Sequence, residues 1–374
     1  MSRPFRSTPL LALPLLLLGG CDTVVMNPAG DVARQQADLI LWSTGLMLLI
    51  IIPVMILTVL FAWRYRASNK DAEYLPDWDH STGLELIIWS APLLIIIALG
   101  ALTWVATHTL DPYRPIGRIA PGKPVPADQR PLEVQVVSLD WKWLFIYPEQ
   151  GIATVNELVV PANRQVRFRL TSSSVMNTFY VPAMAGMIYT MAGMETKLHA
   201  VLNRTGTFEG KSANYSGAGF SYMNFPTHSV DEAGFARWVD GVRGSGLQLR
   251  RDEYLKLEKP SEKVPVMRFS AVEAGLFDRV VQLCVHPGET CMGATMSHDA
   301  QHPGSHPPVN DRAPRAGEPE GALLKDPNEK GTSPHTTAPH GQPHGNTEPG
   351  NDSNRNMTRL ELPALPGTAR AAQG

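Results

Sequence analysis

Two long apolar runs stand out in the first third of the chain. Residues 39–63 and 86–110 each contain 25 consecutive positions without Asp, Glu, Lys or Arg. A helix needs about 20 apolar residues to cross the hydrocarbon core of a bilayer. The pattern therefore predicts a transmembrane hairpin and excludes a purely soluble protein.

Beyond Pro131 the pattern changes to short runs of alternating apolar and polar positions, separated by turn-forming residues. Such short, regularly spaced strands are typical of a β-sandwich or a barrel. Apolar positions then recur at helical spacing. We expect strands over residues 132–137, 158–160, 166–170, 178–181, 197–202 and 206–209, and helices over 231–242 and 270–285.

A shorter apolar stretch, residues 10–18, follows two arginines at the N-terminus. Basic residues, a short apolar core and small residues at its end are typical of an export signal. Leu18-Gly19-Gly20-Cys21 also resembles the bacterial lipobox, in which the cysteine is diacylated and becomes the first mature residue. We therefore predict a lipoprotein signal peptide over residues 1–20 and a lipid anchor on Cys21. The alternative is an ordinary signal with a chance cysteine at its end.

The loop between the two spans carries Arg64, Arg66 and Lys70, whereas only Arg34 lies between the signal and the first span. Short loops rich in Lys and Arg stay in the cytoplasm. Both ends of the mature chain should therefore face outward, which export of the N-terminus also requires. The expected domains are a lipidated two-span hairpin (21–110), an exported domain (111–296) and a tail (297–374).

The tail contains 12 prolines, nine glycines and no aromatic residue among its 78 positions. It cannot bury enough apolar surface to offset its ordering entropy, so we expect disorder. Six of the eleven histidines lie in it. A solvated spacer is the preferred interpretation, and weak metal binding is the alternative.

The overall charge and the cysteine content argue against several classes of protein. The chain has 33 basic and 35 acidic residues, which argues against a nucleic-acid-binding protein. Its cysteines, Cys21, Cys284 and Cys291, are too few for a disulfide scaffold and lack zinc-ribbon spacing. In an exported domain, Cys284 and Cys291 suit a local disulfide. A metal site that adds His286 is the alternative and would need a fourth ligand.

Particular motifs resemble subunit II of the haem–copper respiratory oxidases. Trp141-Lys142-Trp143 resembles the aromatic patch of that family, and Glu85 with Trp89-Ser90-Ala91-Pro92 resembles its second-helix signature. Residues 174–182 look like the segment that carries a copper-binding histidine. Residues 210–223 occupy the place of the second copper motif, Cys-x3-Cys-x3-His-x2-Met. The resemblance covers roughly residues 20–290 and implies a cupredoxin-like sandwich.

The copper ligands of that motif are replaced in this chain, apart from the methionine. Ser212 and Ser216 stand in place of the two cysteines, and Asn214 stands in place of the acidic residue between them. Phe220 stands in place of the second histidine, Met223 keeps the methionine, and Asn177 replaces the upstream histidine. Binuclear copper needs thiolates and imidazoles, which serine, asparagine and phenylalanine cannot supply. The resemblance thus implies that the electron-accepting copper centre is absent.

Residues 66–71, 141–151 and 215–220 resemble the cytochrome bo-type ubiquinol oxidases within this family. This resemblance implies a proton-pumping complex of the bacterial inner membrane that oxidises ubiquinol and reduces oxygen to water. The partners implied are subunits I, III and IV and membrane lipid, and ubiquinol reacts through subunit I. Subunit I would hold haem b, a second haem (o or a) and copper. The chain itself would have a structural and assembly role, with its large domain and tail in the periplasm.

The resemblance further implies that Glu85 lies at the cytoplasmic entrance of a proton channel in the large subunit. The alternative is a carboxylate that is simply favoured by the helix dipole at the start of the second span.

Two other functions remain open from the sequence. One is a cytochrome c oxidase subunit with a displaced copper site, although only His199 and His228 lie in the sandwich region and no cysteine lies between 22 and 283. The other is a membrane-anchored scaffold lipoprotein without a respiratory role.

Overall fold

The computed structural model describes residues 23–73 and 75–301, apart from the side chain of Asp299. The predicted signal peptide, Cys21 and residues 302–374 of the predicted tail lie outside these described residues.

Two long helices form the hairpin, α1 (Asp31–Arg64) and α2 (Thr82–Thr109). Both are long and apolar enough to cross a membrane. Pro53 and Pro92 lie inside them without ending them, as is tolerated where neighbouring groups satisfy the freed backbone positions of a membrane helix.

The N-terminal end of α1 and the residues just before it pack in the core of the β-sandwich. The backbone N–H groups of Ala29 and Gly30 both donate to the carbonyl of Ala183, at 2.8 and 2.9 Å. Asn203 N–H donates in turn to the Ala29 carbonyl at 2.8 Å. A Cβ on Gly30 would lie 2.2 Å from the carbonyl oxygen of Val201, so this close approach requires glycine. The segment before α1 is therefore fixed to the sandwich, which follows α2 in the chain.

The strands that follow are short, as the alternating pattern indicates. In chain order they are β1 (Arg118–Ala120), β2 (Lys123–Pro124), β3 (Leu132–Leu139), β4 (Lys142–Tyr147), β5 (Ile152–Val155), β6 (Leu158–Pro161), β7 (Val166–Ser172), β8 (Asn177–Tyr180), β9 (Ile188–Thr190), β10 (Thr196–Ala200), β11 (Gly206–Ser212), β12 (Asn224–Val230), β13 (Gln248–Leu249), β14 (Met267–Phe269) and β15 (Ala271–Val272).

These strands build a sandwich of two larger sheets. The six-stranded sheet has the order β10-β7-β3-β4-β5-β14, and the five-stranded sheet has the order β6-β12-β11-β8-β9. The pairs β3–β7 and β6–β12 are parallel, and the other pairs within these two sheets are antiparallel. An aromatic and aliphatic core fills the space between the sheets.

Four short helices follow or interrupt the last strands: α3 (Glu232–Arg243), α4 (Arg251–Glu258), α5 (Leu276–Val281) and α6 (Met292–Gln301). Helix α3 packs against the core between the sheets, whereas α4 and α5 cover the outer face of the six-stranded sheet. Tyr254 of α4 and Phe277 of α5 pack in a second core against β3, β4 and β5. The central strands are consequently buried on both faces, as the burial of every residue of β4 shows.

The predicted fold class is confirmed for the hairpin, the all-β sandwich and the short C-terminal helices. The predicted helix over 270–285 is wrong in its first part, because Ala271–Val272 pairs in parallel with Gln248–Leu249 as a strand. Gly275 then adopts a φ of 72°, and only Leu276–Val281 is helical. Helix α6 runs past residue 297, where the tail was expected to begin.

Candidate functional site

The positions of the degenerate copper motif meet at one end of the sandwich. Asn177 opens β8 and Ser212 closes β11, and these two strands are paired. The loop after β11 and a short 3-10 turn, Phe220–Tyr222, bring Ser216 and Met223 to the same place. The fold therefore assembles the motif residues even though their chemistry has changed.

Weak polar contacts connect these side chains. The Ser212 hydroxyl donates to Asn177 Oδ1 at 3.3 Å, and the Ser216 hydroxyl lies 3.5 Å from Met223 Sδ. Asn177 Nδ2 donates to the Ser138 hydroxyl at 3.4 Å. Asn177 and Met223 are each only 1% exposed. A buried polar side chain is costly unless it is hydrogen-bonded, so this network satisfies the groups that stand where a metal would be held.

The side chains of the remaining two motif positions make other contacts, although the Asn214 carbonyl accepts a hydrogen bond from the Ser212 hydroxyl at 3.3 Å. Asn214 Nδ2 donates to the carbonyl of Met176 at 3.0 Å and so ties the loop to the segment before β8. The Phe220 ring packs edge-on against Tyr215, with centroids 5.6 Å apart. An amide and a phenyl ring at these two positions supply no soft side-chain ligand for copper.

The donor set does not suit copper. Hydroxyls, an amide and one thioether are present, whereas a binuclear copper centre takes soft thiolates and imidazoles. Within residues 23–73 and 75–301, no group of three or more His, Cys, Asp or Glu side chains could hold a metal ion.

Trp141 holds the motif loop in place. Its indole Nε1–H donates to the Ser216 carbonyl at 3.0 Å, and its backbone has a φ of 65°. A Cβ on Gly219 would lie 2.4 Å from Trp141 Cγ, so glycine is required where the loop crosses the indole. The aromatic patch recognised in the sequence thus supports the former ligand loop.

Trp143 lies beneath the same site and is fully buried. Its ring packs edge-on against Phe179 and Phe225, with centroids 5.6 and 5.8 Å away. Its Nε1–H lies 3.4 Å from the Met223 carbonyl. This aromatic cluster forms the floor of the site.

Lys142, between the two tryptophans, points to the opposite face of the sheet. Its ammonium donates to the carbonyls of Asp140 and Lys259, both at 3.0 Å, and to the Ser261 hydroxyl at 2.8 Å. Burial lowers the pKa of Lys142 to about 8, against a smaller opposing effect of Asp140. Lys142 therefore ties the segment after α4 to the sandwich.

Glu85 lies in the first turn of α2, on the side of the hairpin with the basic loop. Its Oε1 is 2.7 Å from Nδ1 of His80, and the two side chains are 48% and 62% exposed. The sequence analysis did not single out His80. Its position five residues before Glu85 and outside the helix gave no periodic signal.

The sulfurs of Cys284 and Cys291 are joined in a disulfide, with Cα atoms 4.7 Å apart. This separation lies within the usual range of about 4.4–6.8 Å. His286 Nε2 instead contacts Glu258 Oε2 at 2.7 Å. The bridge thus closes the loop between α5 and α6, and the two sulfurs are not free to act as thiolate ligands.

Replacing both cysteines by serine, Cys284→Ser with Cys291→Ser, should lower the free energy of unfolding by about 2 kcal/mol, because the denatured chain loses a short cross-link. Urea unfolding of the purified chain in detergent measures this change. Dithiothreitol should cause the same loss in the wild type and none in the double variant. Equal midpoints for both proteins without reductant would contradict the expectation.

The N-terminal end of α1 meets the sandwich at an ion pair that the sequence did not predict, between the buried Asp31 and the half-exposed Arg118. Asp31 is 2% exposed, and its Oδ2 accepts hydrogen bonds from Arg118 and Gln35, both at 2.8 Å. A cavity of about 410 Å³ lies beside them and is also lined by His199. Burial lowers the pKa of His199, and the charges of Arg167 and Lys197 lower it further. The ion pair joins α1 to the segment that follows α2.

Comparison with known proteins agrees with the observed β-sandwich and with the helical segment that follows it. A family model described as the periplasmic domain of cytochrome c oxidase subunit II matches residues 134–230, and one described as the COX aromatic-rich motif matches residues 243–288. The second segment contains α4 and α5 and the strands between them. The sandwich is therefore the cupredoxin-like domain that the sequence predicts.

Three relatives align over most of their length. The chain is 52% identical to cytochrome bo(3) ubiquinol oxidase subunit 2 of Pseudomonas putida, over 75% of this chain and 85% of the relative. It is 48% identical to the subunit of the same name from Pseudomonas aeruginosa, over 80% and 89%. It is 49% identical to ubiquinol oxidase subunit 2 of Acetobacter aceti, over 71% and 84%. The chain therefore belongs to the ubiquinol oxidase subunit II family, the membrane-anchored bacterial members of the haem–copper oxidase subunit II group.

Proposed function

We propose that this chain is the second subunit of a proton-pumping terminal ubiquinol oxidase in the bacterial inner membrane, and that it carries no redox centre of its own. The observation that carries the second part is the network of Asn177, Ser212, Ser216 and Met223, which occupies the ligand positions with poor copper ligands. The named relatives support the first part.

Electron transfer then belongs to the partners. Ubiquinol is oxidised through subunit I, which holds haem b, a second haem of type o or a, and copper, and subunits III and IV complete the complex. The two spans support such an assembly, because almost none of their apolar surface is buried within this chain. Lipid and neighbouring subunits are the natural cover for that surface.

The exported domain acts as a rigid cap and assembly surface in the periplasm. Its packing supports this role, since α1 enters the sandwich core through Ala29 and Val32 and the Asp31–Arg118 pair fixes the same junction. The orientation of the cap relative to the spans is therefore built into the chain before any partner binds.

Glu85 is the proposed proton-entry group of this subunit. Its support is its place in the first turn of α2 beside the basic loop, its exposure and its contact with a second titratable side chain, His80. Ionisable groups at the membrane boundary often belong to proton routes.

Added copper should give the full-length chain no intense visible band, because no thiolate–copper bond can form. The matched comparison carries Asn177→His, Ser212→Cys, Ser216→Cys and Phe220→His. Since Asn177 contacts Ser212 and Ser216 contacts Met223, the restored ligands would lie close together and should yield that band. A strong thiolate–copper absorption in the wild type would overturn the proposal.

Cys21→Ser should abolish diacylation while the chain stays in the membrane, since two spans hold it more strongly than one lipid anchor. Intact mass spectrometry of the wild type should show a lipidated chain of 354 residues after removal of 20. An unmodified Cys21 would refute the lipid anchor. Recovery of the variant in the soluble fraction would refute attachment by the spans.

A further inference from the structure

Three side chains at the start of α2, those of His80, Thr82 and Glu85, form a hydrogen-bonded group. Besides its contact with Glu85 Oε1 at 2.7 Å, the ring of His80 has Nε2 3.2 Å from the Thr82 hydroxyl. Both ring nitrogens are thus engaged by groups at the start of α2. The imidazole is 62% exposed, so it still reaches water.

This geometry suits stepwise proton transfer. With its proton on Nδ1, the neutral ring donates to the Glu85 carboxylate and its Nε2 accepts from the Thr82 hydroxyl. Nε2 can take a proton from a hydronium ion, which leaves a water molecule, and Nδ1 can then release its own proton to Glu85 Oε1. The products are a neutral carboxylic acid and a neutral imidazole protonated on Nε2, so one proton has been moved. Histidine is the side chain that ordinarily exchanges protons near neutral pH.

No other charged side chain near His80 and Glu85 takes the place of either partner in this contact among the described residues. At the facing end of α1, the guanidiniums of Arg64 and Arg66 lie over the rings of Tyr65 and Trp63. The acidic residues of the loop, Asp71, Glu73, Asp77 and Asp79, form no ion pair with His80 among the described residues. In that part of the chain, Glu85 is the one carboxylate within 4.0 Å of the imidazole.

We propose that His80 is the proton-collecting residue that loads Glu85 from the cytoplasm, with Thr82 orienting its ring. This inference rests on the proposed role of Glu85 as the proton-entry group. It adds the residue from which that carboxylate receives its proton.

The test uses the assembled oxidase with His80→Ala. A group acting directly in proton transfer contributes about 10²–10⁴-fold, and since water can also load Glu85 we expect turnover at saturating ubiquinol to fall only about two- to fivefold. Added imidazole should restore the rate in a concentration-dependent way, because the vacated place is open to solvent. A purely structural role would not respond to imidazole.

Three further variants sharpen the test. His80→Gln keeps a hydrogen bond to Glu85 but cannot relay protons, so it should be as slow as His80→Ala. Thr82→Val should slow turnover less than either, because it leaves the imidazole in place. His80→Ala combined with Glu85→Gln should match Glu85→Gln alone and should not respond to imidazole.

Wild-type turnover of His80→Ala, full activity of His80→Gln, or absence of imidazole rescue would each overturn the relay. Failure of the proposed role of Glu85 can be distinguished from failure of the relay. If Glu85→Gln turns over at the wild-type rate while His80→Ala is slow and rescued, His80 passes protons to another acceptor and the link to Glu85 is overturned.

Discussion

Trp143→Ala is expected to lower the free energy of unfolding by about 3–5 kcal/mol, the usual loss for removing a buried aromatic side chain. The indole is completely buried and contacts both Phe179 and Phe225. Its removal leaves a cavity under the motif loop, which the surrounding strands cannot close because both faces of β4 are packed. The loss is a large part of the about 5–15 kcal/mol by which native proteins are usually stable, so less assembled oxidase should accumulate.

Two measurements check this expectation. Urea unfolding of the purified chain in detergent reports its stability, and the haem spectrum of membranes reports the assembled complex. Trp143→Phe is the graded control, because it keeps a ring in the cluster and should lose less. Wild-type stability of Trp143→Ala would show that the sandwich core is not organised around this residue.

Glu85→Gln is expected to reduce steady-state ubiquinol oxidation several-fold while leaving assembly and haem content intact. The amide has nearly the same shape but cannot take up a proton at neutral pH. Because water and neighbouring groups can still deliver protons, the decrease should stay below the about 10²–10⁴-fold effect of a group acting directly in the chemistry. Glu85→Asp should retain more activity, since it keeps the ionisable group.

Glu73→Gln is the matched control, because Glu73 is an exposed carboxylate on the loop between α1 and α2. It should turn over like the wild type. If Glu85 only favours the start of α2 through the helix dipole, its amide variant loses about 0.3–1 kcal/mol, which a packed complex would absorb. Unchanged turnover of fully assembled Glu85→Gln at saturating quinol would decide for that simpler role.

The alternating pattern of the sequence predicted β3, β6, β7, β8, β10 and β11 but missed the other strands of the two larger sheets, β4, β5, β9, β12 and β14. Strand β4 reads Lys-Trp-Leu-Phe-Ile-Tyr without alternation, because it is buried on both faces. Strand β12 does alternate in burial, but two of its inward residues are Thr227 and Ser229, so no apolar period is visible. Periodicity therefore identifies strands that have one apolar face. It fails for strands that are buried on both faces and for strands whose buried residues are polar.

In the candidate site, too, some features could be predicted from the sequence and others could not. The motif positions could be assigned from spacing, and the fold places Asn177 beside Ser212 and Ser216 beside Met223. The Asp31–Arg118 pair could not be predicted, because its partners are 87 residues apart and meet only when α1 enters the sandwich. The burial of Lys142 was equally hidden, since its partners Lys259 and Ser261 lie in a distant segment.

The central claim is that this chain serves a ubiquinol oxidase without a copper centre of its own. The most direct test is to purify the complex through an affinity tag on this chain. Its haem spectrum and copper content are then measured, together with its oxygen consumption on ubiquinol and on reduced cytochrome c. The account predicts two haems and a single copper ion in the complex, with oxygen consumed on ubiquinol and not on cytochrome c. Recovery of the chain without haem, or oxidation of cytochrome c by a complex with additional copper, would contradict it.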